Sequence, residues 1–302
     1  MIKLIRQRIG VRIAILVNTL LSIVIAAGAA YLINQQGRSL EEQFLAKGKM
    51  ESLIGAKSIG RILEEAIDNG VFSVSDALDT KYVEIPGFEP PKYHTKYDSY
   101  LDKAILSLED EFLKDKSIIF AVAVDVNGYL PTHNTPFQHS PTGDKQKDLS
   151  GNRTKRKFND PVGMAAAKNQ TEGFQQIYKR DTGETLWDIS SPIYVKGKHW
   201  GGFRIGMSPK VIEEVKREHA ISLIAILLVV ILISTLSIFL LINRALTPLR
   251  EFTRIASDLA DGNVDEKIES DAEDEIGQLA DVLERLRMSI KAAMERLMRK
   301  QT

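Results

Sequence analysis

The chain has 302 residues, 40 basic against 40 acidic side chains, and 44% apolar residues. This composition excludes wholesale disorder, which requires a low apolar content, and the strong positive charge typical of nucleic-acid-binding proteins. The absence of cysteine excludes disulfides, thiolate chemistry and haem attachment through a CxxCH motif.

Two long apolar runs contain no charged side chain, at residues 13–33 and 220–242. A helix needs about 20 such residues to cross a hydrocarbon core roughly 30 Å thick. We therefore predict two transmembrane helices, separated by a domain of residues 34–219. Two alternatives stay open: either run forms a buried core helix, or the first is a cleaved signal peptide that ends at the small residues 26–30. The length of the first run favours a span over a signal peptide.

Residues 1–12 carry basic side chains and no acidic ones. These basic residues are Lys3, Arg6, Arg8 and Arg12. Positive charge next to a first span is usually retained in the cytoplasm. The prediction is that both termini are cytoplasmic and that residues 34–219 face outward.

Apolar residues recur at helical spacing in two parts of this outer segment. The first part predicts a helix over 34–69 that carries Ile59 and Leu63 on one face. The second predicts a helix from Tyr97 to Phe112. Between them, three prolines in residues 84–96 exclude a continuous helix.

After Ser117 the apolar periodicity changes from helical to alternating. Residues 118–133 predict a β-hairpin in which Asn127-Gly128 supplies the positive φ angles of the turn. Residues 174–207 predict three more strands, with turns at 181–184 and 196–198. The outer segment is thus predicted to be an α+β domain, with helices on one face of an antiparallel sheet of about five strands.

Three stretches of the outer segment, VDVNGYLPTHN, NRTKRKFNDPVG and RDTGETLWDISSPIYVKGKHWGGFRIGM, resemble the PAS-like, Cache-type sensor domains of bacterial chemoreceptors. The similarity covers residues 117–207. It implies a bacterial inner-membrane protein with a ligand pocket between the sheet and the crossing segment 133–163. The residues expected to bind the ligand are Tyr129, His133, Asn134, Arg153, Arg156, Trp187, Asp188 and Arg204.

The chemistry of the expected ligand depends on Arg153 and Arg156. Two guanidinium groups suit bidentate binding of a carboxylate, which favours a small anionic or zwitterionic molecule. A solvated basic loop is the alternative, because Lys155 and Lys157 lie beside both arginines. For Trp187 the alternative is packing in the core.

Neither a metal site nor a catalytic motif is recognisable in the outer segment. Four histidines of this segment lack the paired spacing of zinc ligands, and they are His94, His133, His139 and His199. No nucleophile elbow, phosphate-binding loop or zinc-protease motif is present. We therefore expect no metal, no cofactor and no enzymatic activity.

A coiled-coil seam continues from the second apolar run, formed by Ala245, Leu249, Phe252, Ala256 and Leu259. Pro248 predicts a kink or a restart of this helix, and Gly262 predicts its end. Residues 270–273 are expected to cap a second helix, after a connector with isolated Val264 and Ile268. The heptad residues of that helix are Ile276, Leu279, Leu283, Leu286, Ile290, Ala293 and Leu297.

Residues 243–297 resemble the HAMP linker of bacterial receptors and sensor kinases. Pro248, Gly262 and the stretch Asp274-Glu275-Ile276-Gly277 carry the resemblance. It implies a homodimer whose parallel four-helix bundle transmits a shift of the second span, with Pro248, Gly262, Glu275 and Gly277 taking part. A generic juxtamembrane coiled coil is the alternative.

Only a short tail, residues 298–302, follows the heptads. We expect the output module to lie either in a segment missing from this chain or in a separate cytoplasmic signalling protein. The predicted function is a chemoreceptor-like receptor for a small extracytoplasmic ligand. A membrane-anchored scaffold or accessory sensor subunit, and an anchored enzyme ectodomain, are the alternative functions.

Overall fold

The computed structural model describes residues 9–299, which divide into two compact units. Residues 33–220 form one unit, and the flanking parts of the chain form the other. The basic residues Lys3, Arg6 and Arg8, on which the predicted orientation depends, lie outside the described residues. So does most of the predicted tail.

Two long helices, α1 (Ile9–Asp68) and α7 (Pro209–Ala260), contain the two apolar runs. Both are long and apolar enough to cross a membrane, and their apolar windows are almost entirely exposed within the described chain. A buried core helix would be covered by other residues, so this exposure favours membrane helices. Helix α1 has no break between its apolar run and the helix predicted over 34–69.

The central sheet of the outer unit has four antiparallel strands in the order β3-β8-β7-β6. Their bounds are Ile118–Asp125 (β3), Phe174–Lys179 (β6), Thr185–Val195 (β7) and Lys198–Met207 (β8). The three strands predicted over residues 174–207 are confirmed, including both turns between them.

The hairpin predicted over 118–133 is wrong. After β3 the chain turns at Asn127-Gly128, but β4 (Tyr129–Leu130) pairs with β5 (Arg156–Lys157) instead of β3. The Asp125 carboxylate explains the turn, because it accepts backbone hydrogen bonds from Asn127 and Tyr129, both at 2.9 Å. The central sheet therefore has four strands where about five were expected.

Short elements lie in the chain between α1 and β3 and between β3 and β6. These are α2 (Val74–Ala77), β1 (Val83–Ile85), β2 (Lys92–His94), α3 (Asp98–Ala104), α4 (Leu106–Phe112), α5 (Lys145–Gly151) and α6 (Pro161–Lys168). The single helix predicted from Tyr97 to Phe112 is two helices, α3 and α4, which meet at Ile105. The apolar stripe continues across this break, so its periodicity did not reveal it.

Each face of the central sheet has its own apolar core. On one face, the α1 residues Ile59 and Leu63 lie in a cluster with Ile189, Trp200 and Phe203. The opposite face carries a smaller cluster, whose buried members include Phe120, Val122, Leu130, Phe158 and Tyr178. Helix α6 also packs on this second face through Ala166 and Ala167, so the expectation of helices on one face only is incomplete.

In the inner unit, α7 runs through Thr247-Pro248 without a restart and ends at Ala260. Proline removes one intrahelical hydrogen bond, and the neighbouring bonds keep the helix continuous. Gly262, at φ +90°, follows the helix end as predicted. The second helix, α8 (Glu275–Met298), begins after a connector.

The connector packs against both helices of the inner unit. Ile268 is buried with Phe252, Ile255, Leu259 and Ala280, and Val264 packs against this cluster. Both predicted anchors of the connector are thus confirmed. The predicted cap at residues 270–273 is wrong, since Asp274 accepts a hydrogen bond from the Ile276 backbone at 2.9 Å.

Candidate functional site

A small cavity lies on the sheet face opposite α1. Its apolar walls are Phe120, Val122, Leu130 and Phe158. Its polar lining consists of His133, Arg153, Tyr178, Arg180 and Arg204. The volume is about 20 Å³, which is room for a single water molecule.

The elements around the cavity determine which side chains enter it. Tyr178 is in β6, and Arg180 is the first residue after this strand. The two residues are two positions apart, so their side chains point to the same face of the sheet. Arg204 comes from β8, next to Phe203, which lies in the core of the other face. Arg153 and His133 come from the segment that crosses the sheet.

Four arginines in and beside this cavity are buried, with side chains 2% to 8% exposed. They are Arg153, Arg156, Arg180 and Arg204. Arginine is seldom buried unless it is paired, because removing its charge from water is costly. The carboxylates near these four side chains therefore decide how much of the charge is compensated.

Arg204 and Asp188 form a fully buried ion pair, with Arg204 Nε donating to Asp188 Oδ1 at 3.0 Å. Asp188 Oδ2 accepts a further bond from the Gln176 side chain at 3.2 Å. Burial opposes the charge of Arg204, but the adjacent carboxylate outweighs it and raises the pKa of Arg204. The two charges of this pair compensate each other, and Asp188 is not among the residues that line the cavity.

Arg153 and Arg156 share one carboxylate. Arg153 Nη1 donates to both oxygens of Asp181, at 2.9 and 3.1 Å, and Arg156 Nη2 lies 3.6 Å from Asp181. Burial and the neighbouring Arg153 lower the pKa of Arg156 to about 10. One partly exposed carboxylate thus serves two guanidinium groups.

Arg180 is paired with one exposed carboxylate. Its Nη1 donates to Glu184 at 3.3 Å, and the Glu184 side chain is 56% exposed. Burial and the neighbouring Arg153 lower the pKa of Arg180. A carboxylate in contact with water offers only weak compensation.

Several buried N–H groups of these arginines have no hydrogen-bond partner among the described residues. They are Nε of Arg153, Arg156 and Arg180, and Nη2 of Arg180 and Arg204. Buried polar groups in native proteins almost always have a partner, and an unsatisfied one costs about 1–3 kcal/mol. The cluster is therefore short of acceptors.

His133 is buried against the ring of Phe137, with ring centroids 4.5 Å apart. Burial, together with Arg153 and the other three arginines, holds the pKa of His133 well below its usual value. Its ring is neutral near pH 7, and its Nδ1 has no partner among the described residues. The histidine adds a polar atom to the site without adding charge.

The structure brings His133, Arg153 and Arg204 together as cavity-lining residues. Arg156 shares the carboxylate of Asp181 with Arg153, and Asp188 forms an ion pair with Arg204. The other predicted ligand-binding residues lie elsewhere. Asn134 accepts a hydrogen bond from the Ala121 backbone at 2.9 Å and so ties the crossing segment to β3.

Tyr129 and Trp187 belong to the core on the other face. Tyr129 is buried and donates its hydroxyl to the Tyr93 carbonyl at 2.8 Å. Trp187 packs, partly buried, against the same cluster. Neither lines the cavity, and both contacts are those of core residues.

Sequence reasoning missed Tyr178 and Arg180. In their strand the aliphatic residue faces solvent and polar residues face the protein: Ile177 is 73% exposed, whereas Gln176 and Tyr178 are turned inward. The i, i+2 spacing of Tyr178 and Arg180 was a usable signal, because alternate residues of a strand share one face.

Among the residues predicted to transmit a signal, Gly277 has a clear structural role. A Cβ atom at Gly277 would lie 1.8 Å from the Ala272 carbonyl oxygen, so only glycine permits this approach of connector and helix. Glu275 opens α8 with an exposed side chain, which suits the positive end of a helix. Pro248 lies inside α7 and Gly262 in the turn after it.

A carboxylate links the connector to α8. Glu284 accepts a hydrogen bond from the Ile268 backbone at 3.0 Å and from Arg287 at 2.6 and 2.8 Å. Arg287 in turn donates to the Val264 carbonyl at 2.7 Å. The hydrogen bond from Arg287, followed by that from Ile268, lowers the pKa of Glu284 to about 2.

Within residues 9–299 no group of histidine, aspartate or glutamate side chains is arranged to hold a metal ion.

Residues 240–292 match the family model of the HAMP domain. No curated protein matches the chain. A HAMP domain is a linker of signal-transducing membrane receptors. Together with two candidate membrane helices and a mixed helix-and-sheet domain between them, it fits a HAMP-containing transmembrane sensor.

Proposed function

We propose that this chain is a chemoreceptor-like transmembrane receptor. Its outer domain, of PAS-like Cache type, binds a small extracytoplasmic ligand, and its HAMP domain passes the resulting change to a cytoplasmic output module. The mechanism is allosteric and involves no catalysis, and chemotaxis is the expected biological response.

One observation carries this proposal. Strand β8 ends at Met207, and after Ser208 the helix α7 begins at Pro209 and continues to Ala260. The strand that supplies Arg204 to the cavity is thus followed, one residue later, by the helix that enters the HAMP domain. A displacement of β8 would move the start of this helix, and a rigid helix transmits such a movement.

Signalling in this way requires two states that bind the ligand unequally. A ligand with equal affinity for both arrangements shifts no population, however tightly it binds. The cavity of about 20 Å³ is too small for most ligands, so a binding state in which the crossing segment and β8 lie further apart meets this requirement.

Homodimer formation is part of the proposal. Of the heptad residues in α8, Ile276 and Leu283 pack in the intrachain cluster, whereas Leu279 and Leu286 are 37% and 51% exposed. An a/d seam that is only half covered within one chain needs a partner helix. A second copy would supply it and complete a parallel four-helix bundle.

The orientation follows from the basic residues of the N-terminal segment, among them Arg12. Under the positive-inside rule the HAMP domain lies in the cytoplasm and residues 34–219 lie on the outer side of the bacterial inner membrane. A cytoplasmic signalling protein is then the expected output partner.

Cysteine crosslinking tests the proposal, because the chain has no cysteine of its own. Leu286→Cys, on the half-covered seam, is compared with Arg285→Cys, which is exposed on another side of α8. In membranes the Leu286→Cys chain is expected to form disulfide-linked dimers several times faster. Equal rates, together with a monomeric chain in lipid, would contradict the dimer.

Signalling is tested on the same Leu286→Cys protein. A panel of amino acids, organic acids and purines is added, and the crosslinking rate is followed. At least one compound is expected to change this rate at a concentration that also raises the unfolding temperature of the outer domain. Stabilisation without any change in crosslinking would contradict transmission through the HAMP domain.

A further inference from the structure

We infer that the cavity beside Arg153, Arg180 and Arg204 is a site for a compact anion with an oxyanion group, such as a carboxylate of formate or acetate size. This inference rests on the proposed function, in which the outer domain binds a small ligand. It selects the anionic class and excludes zwitterions such as amino acids.

The first argument is the shortage of acceptors. Asp188 is engaged by Arg204 and Gln176, and Asp181 is shared by two arginines. Arg180 keeps two buried donor atoms, Nε and Nη2, without a partner among the described residues. An oxyanion accepts two hydrogen bonds from one guanidinium group, so it matches this unsatisfied pair of donors.

The second argument is that aromatic rings hold the guanidinium groups in place. The Arg180 guanidinium carbon lies 5.6 Å from the Phe120 ring centroid and 4.8 Å from that of Phe137. Arg204 lies 5.3 Å from Tyr178, and Arg153 lies 4.9 Å from Phe158. Rings that cover the faces of a guanidinium leave its N–H edge for hydrogen bonds, and this arrangement is pre-organised for an anion.

The third argument excludes a positively charged or zwitterionic ligand. The charged residues that line the cavity are three arginines, and no carboxylate is among the described lining residues. His133 is neutral near pH 7, because burial and the arginines hold its pKa well below the usual value. An ammonium group would therefore meet guanidinium groups without an anionic acceptor.

The volume of the cavity limits the size of the anion. A cavity of about 20 Å³ has room for one water molecule. Formate, acetate or nitrate needs only a small separation of the crossing segment from the sheet, whereas a larger anion needs more rearrangement. The ligand would contact β8, the end of β6 and the crossing segment at once, and β8 leads directly into α7.

The test is calorimetric titration of the full chain in detergent micelles. The titrants are the sodium salts of formate, acetate and nitrate, with glycine as the zwitterion. Sodium gluconate, an anion too large for the cavity, keeps the ionic strength constant. Comparing the affinities of formate and acetate with that of nitrate shows whether the site prefers an organic or an inorganic oxyanion.

Arg180→Gln is the test variant, and Lys179→Gln is its matched control. Lys179 is adjacent and exposed on the opposite side of the strand, so its replacement removes the same charge without touching the cavity. We expect saturable binding of at least one compact anion, weakened at least about tenfold by Arg180→Gln and less than about twofold by Lys179→Gln.

Folding is checked by the fluorescence of the two tryptophans, Trp187 and Trp200, which both lie in the outer domain. Arg180→Gln removes a buried charge with weak compensation, so its unfolding temperature is not expected to fall. Should it fail to fold, Arg180→Lys keeps the charge but loses the planar fork, and it is expected to weaken binding in the same direction.

Three results would overturn the inference: no compact anion binds, both variants weaken binding equally, or glycine binds more tightly than acetate. The Leu286→Cys crosslinking rate separates this inference from the proposed function. An anion that binds without changing crosslinking contradicts the proposed function alone. A response to another ligand class, with no binding of compact anions, contradicts this inference alone.

Discussion

At the scale of single residues, His133 makes the stability of the outer domain depend on pH. Burial and the four arginines hold its pKa in the folded state well below the usual value. The unfolded chain therefore takes up a proton as the pH falls below about 6.5, while the folded chain does not. Protonation favours unfolding, so the stability from this group is present above pH 6.5 and is lost as the pH falls.

The corresponding variant is His133→Gln, which cannot titrate. We expect the wild-type unfolding temperature to fall between pH 7.5 and 5.5, and the fall to be smaller in His133→Gln, because the differential proton uptake is removed. Tryptophan fluorescence during heating measures the unfolding temperature at each pH. His139→Gln, at an exposed position, is the control and should follow the wild type. Identical pH profiles of wild type and His133→Gln would refute this account.

The buried arginines show how far single residues could be predicted. Arg153 and Arg204 were predicted to be near a ligand because of their place in the crossing segment and in β8. Arg180 was not, because an arginine beside a polar turn is usually solvated. Its burial depends on the strand pattern in which Ile177 faces solvent, and its i, i+2 spacing from Tyr178 was the local signal of that burial.

At the scale of elements, the packing of α1 on the sheet depends on glycine. A Cβ atom at Gly55 would lie 2.2 Å from the Phe203 ring, and one at Gly48 would lie 2.5 Å from Ile189. Both ring and side chain are in the core, so they cannot move away without cost. These glycines let the helix backbone lie close to the strands.

Gly55→Val is therefore expected to destabilise the outer domain, by about 1–3 kcal/mol for overpacking. Gly37→Ala, in the same helix, meets nothing within 4 Å and is expected to stabilise it by about 0.5–1 kcal/mol. Unfolding temperatures should move in opposite directions, by roughly 2–4 °C for each kcal/mol in a domain of this size. Equal shifts in both variants would mean that α1 does not pack tightly on the sheet.

Element types were easier to predict than strand partners. Alternation identified β6, β7 and β8, and uncharged apolar runs together with helical periodicity identified α1 and α7, because these signals are local. The wrong hairpin at 118–133 shows the limit. A turn at Asn127-Gly128 is present, but Tyr129 pairs with Lys157, and a contact so distant in the chain leaves no local signal.

At the scale of the whole molecule, the inner unit was more predictable than the ligand site. The HAMP match at residues 240–292 was anticipated because its signals are local: the seam in α7, Gly262 after it, and the opening of α8 at Asp274. The anion site has no such signature. It is assembled from a crossing segment and two strands, and it exists only once the sheet has formed.

The orientation of the chain in the membrane is the last property to test. Single cysteines are placed at Glu84, exposed in the outer domain, and at Asp261, exposed after α7. If the basic N-terminal segment is retained in the cytoplasm, a membrane-impermeant maleimide labels Glu84→Cys in intact cells and Asp261→Cys only after lysis. The cysteine-free wild-type chain gives the background. Equal labelling of both variants in intact cells would contradict a cytoplasmic HAMP domain, and the proposed inward transmission of the signal would fail with it.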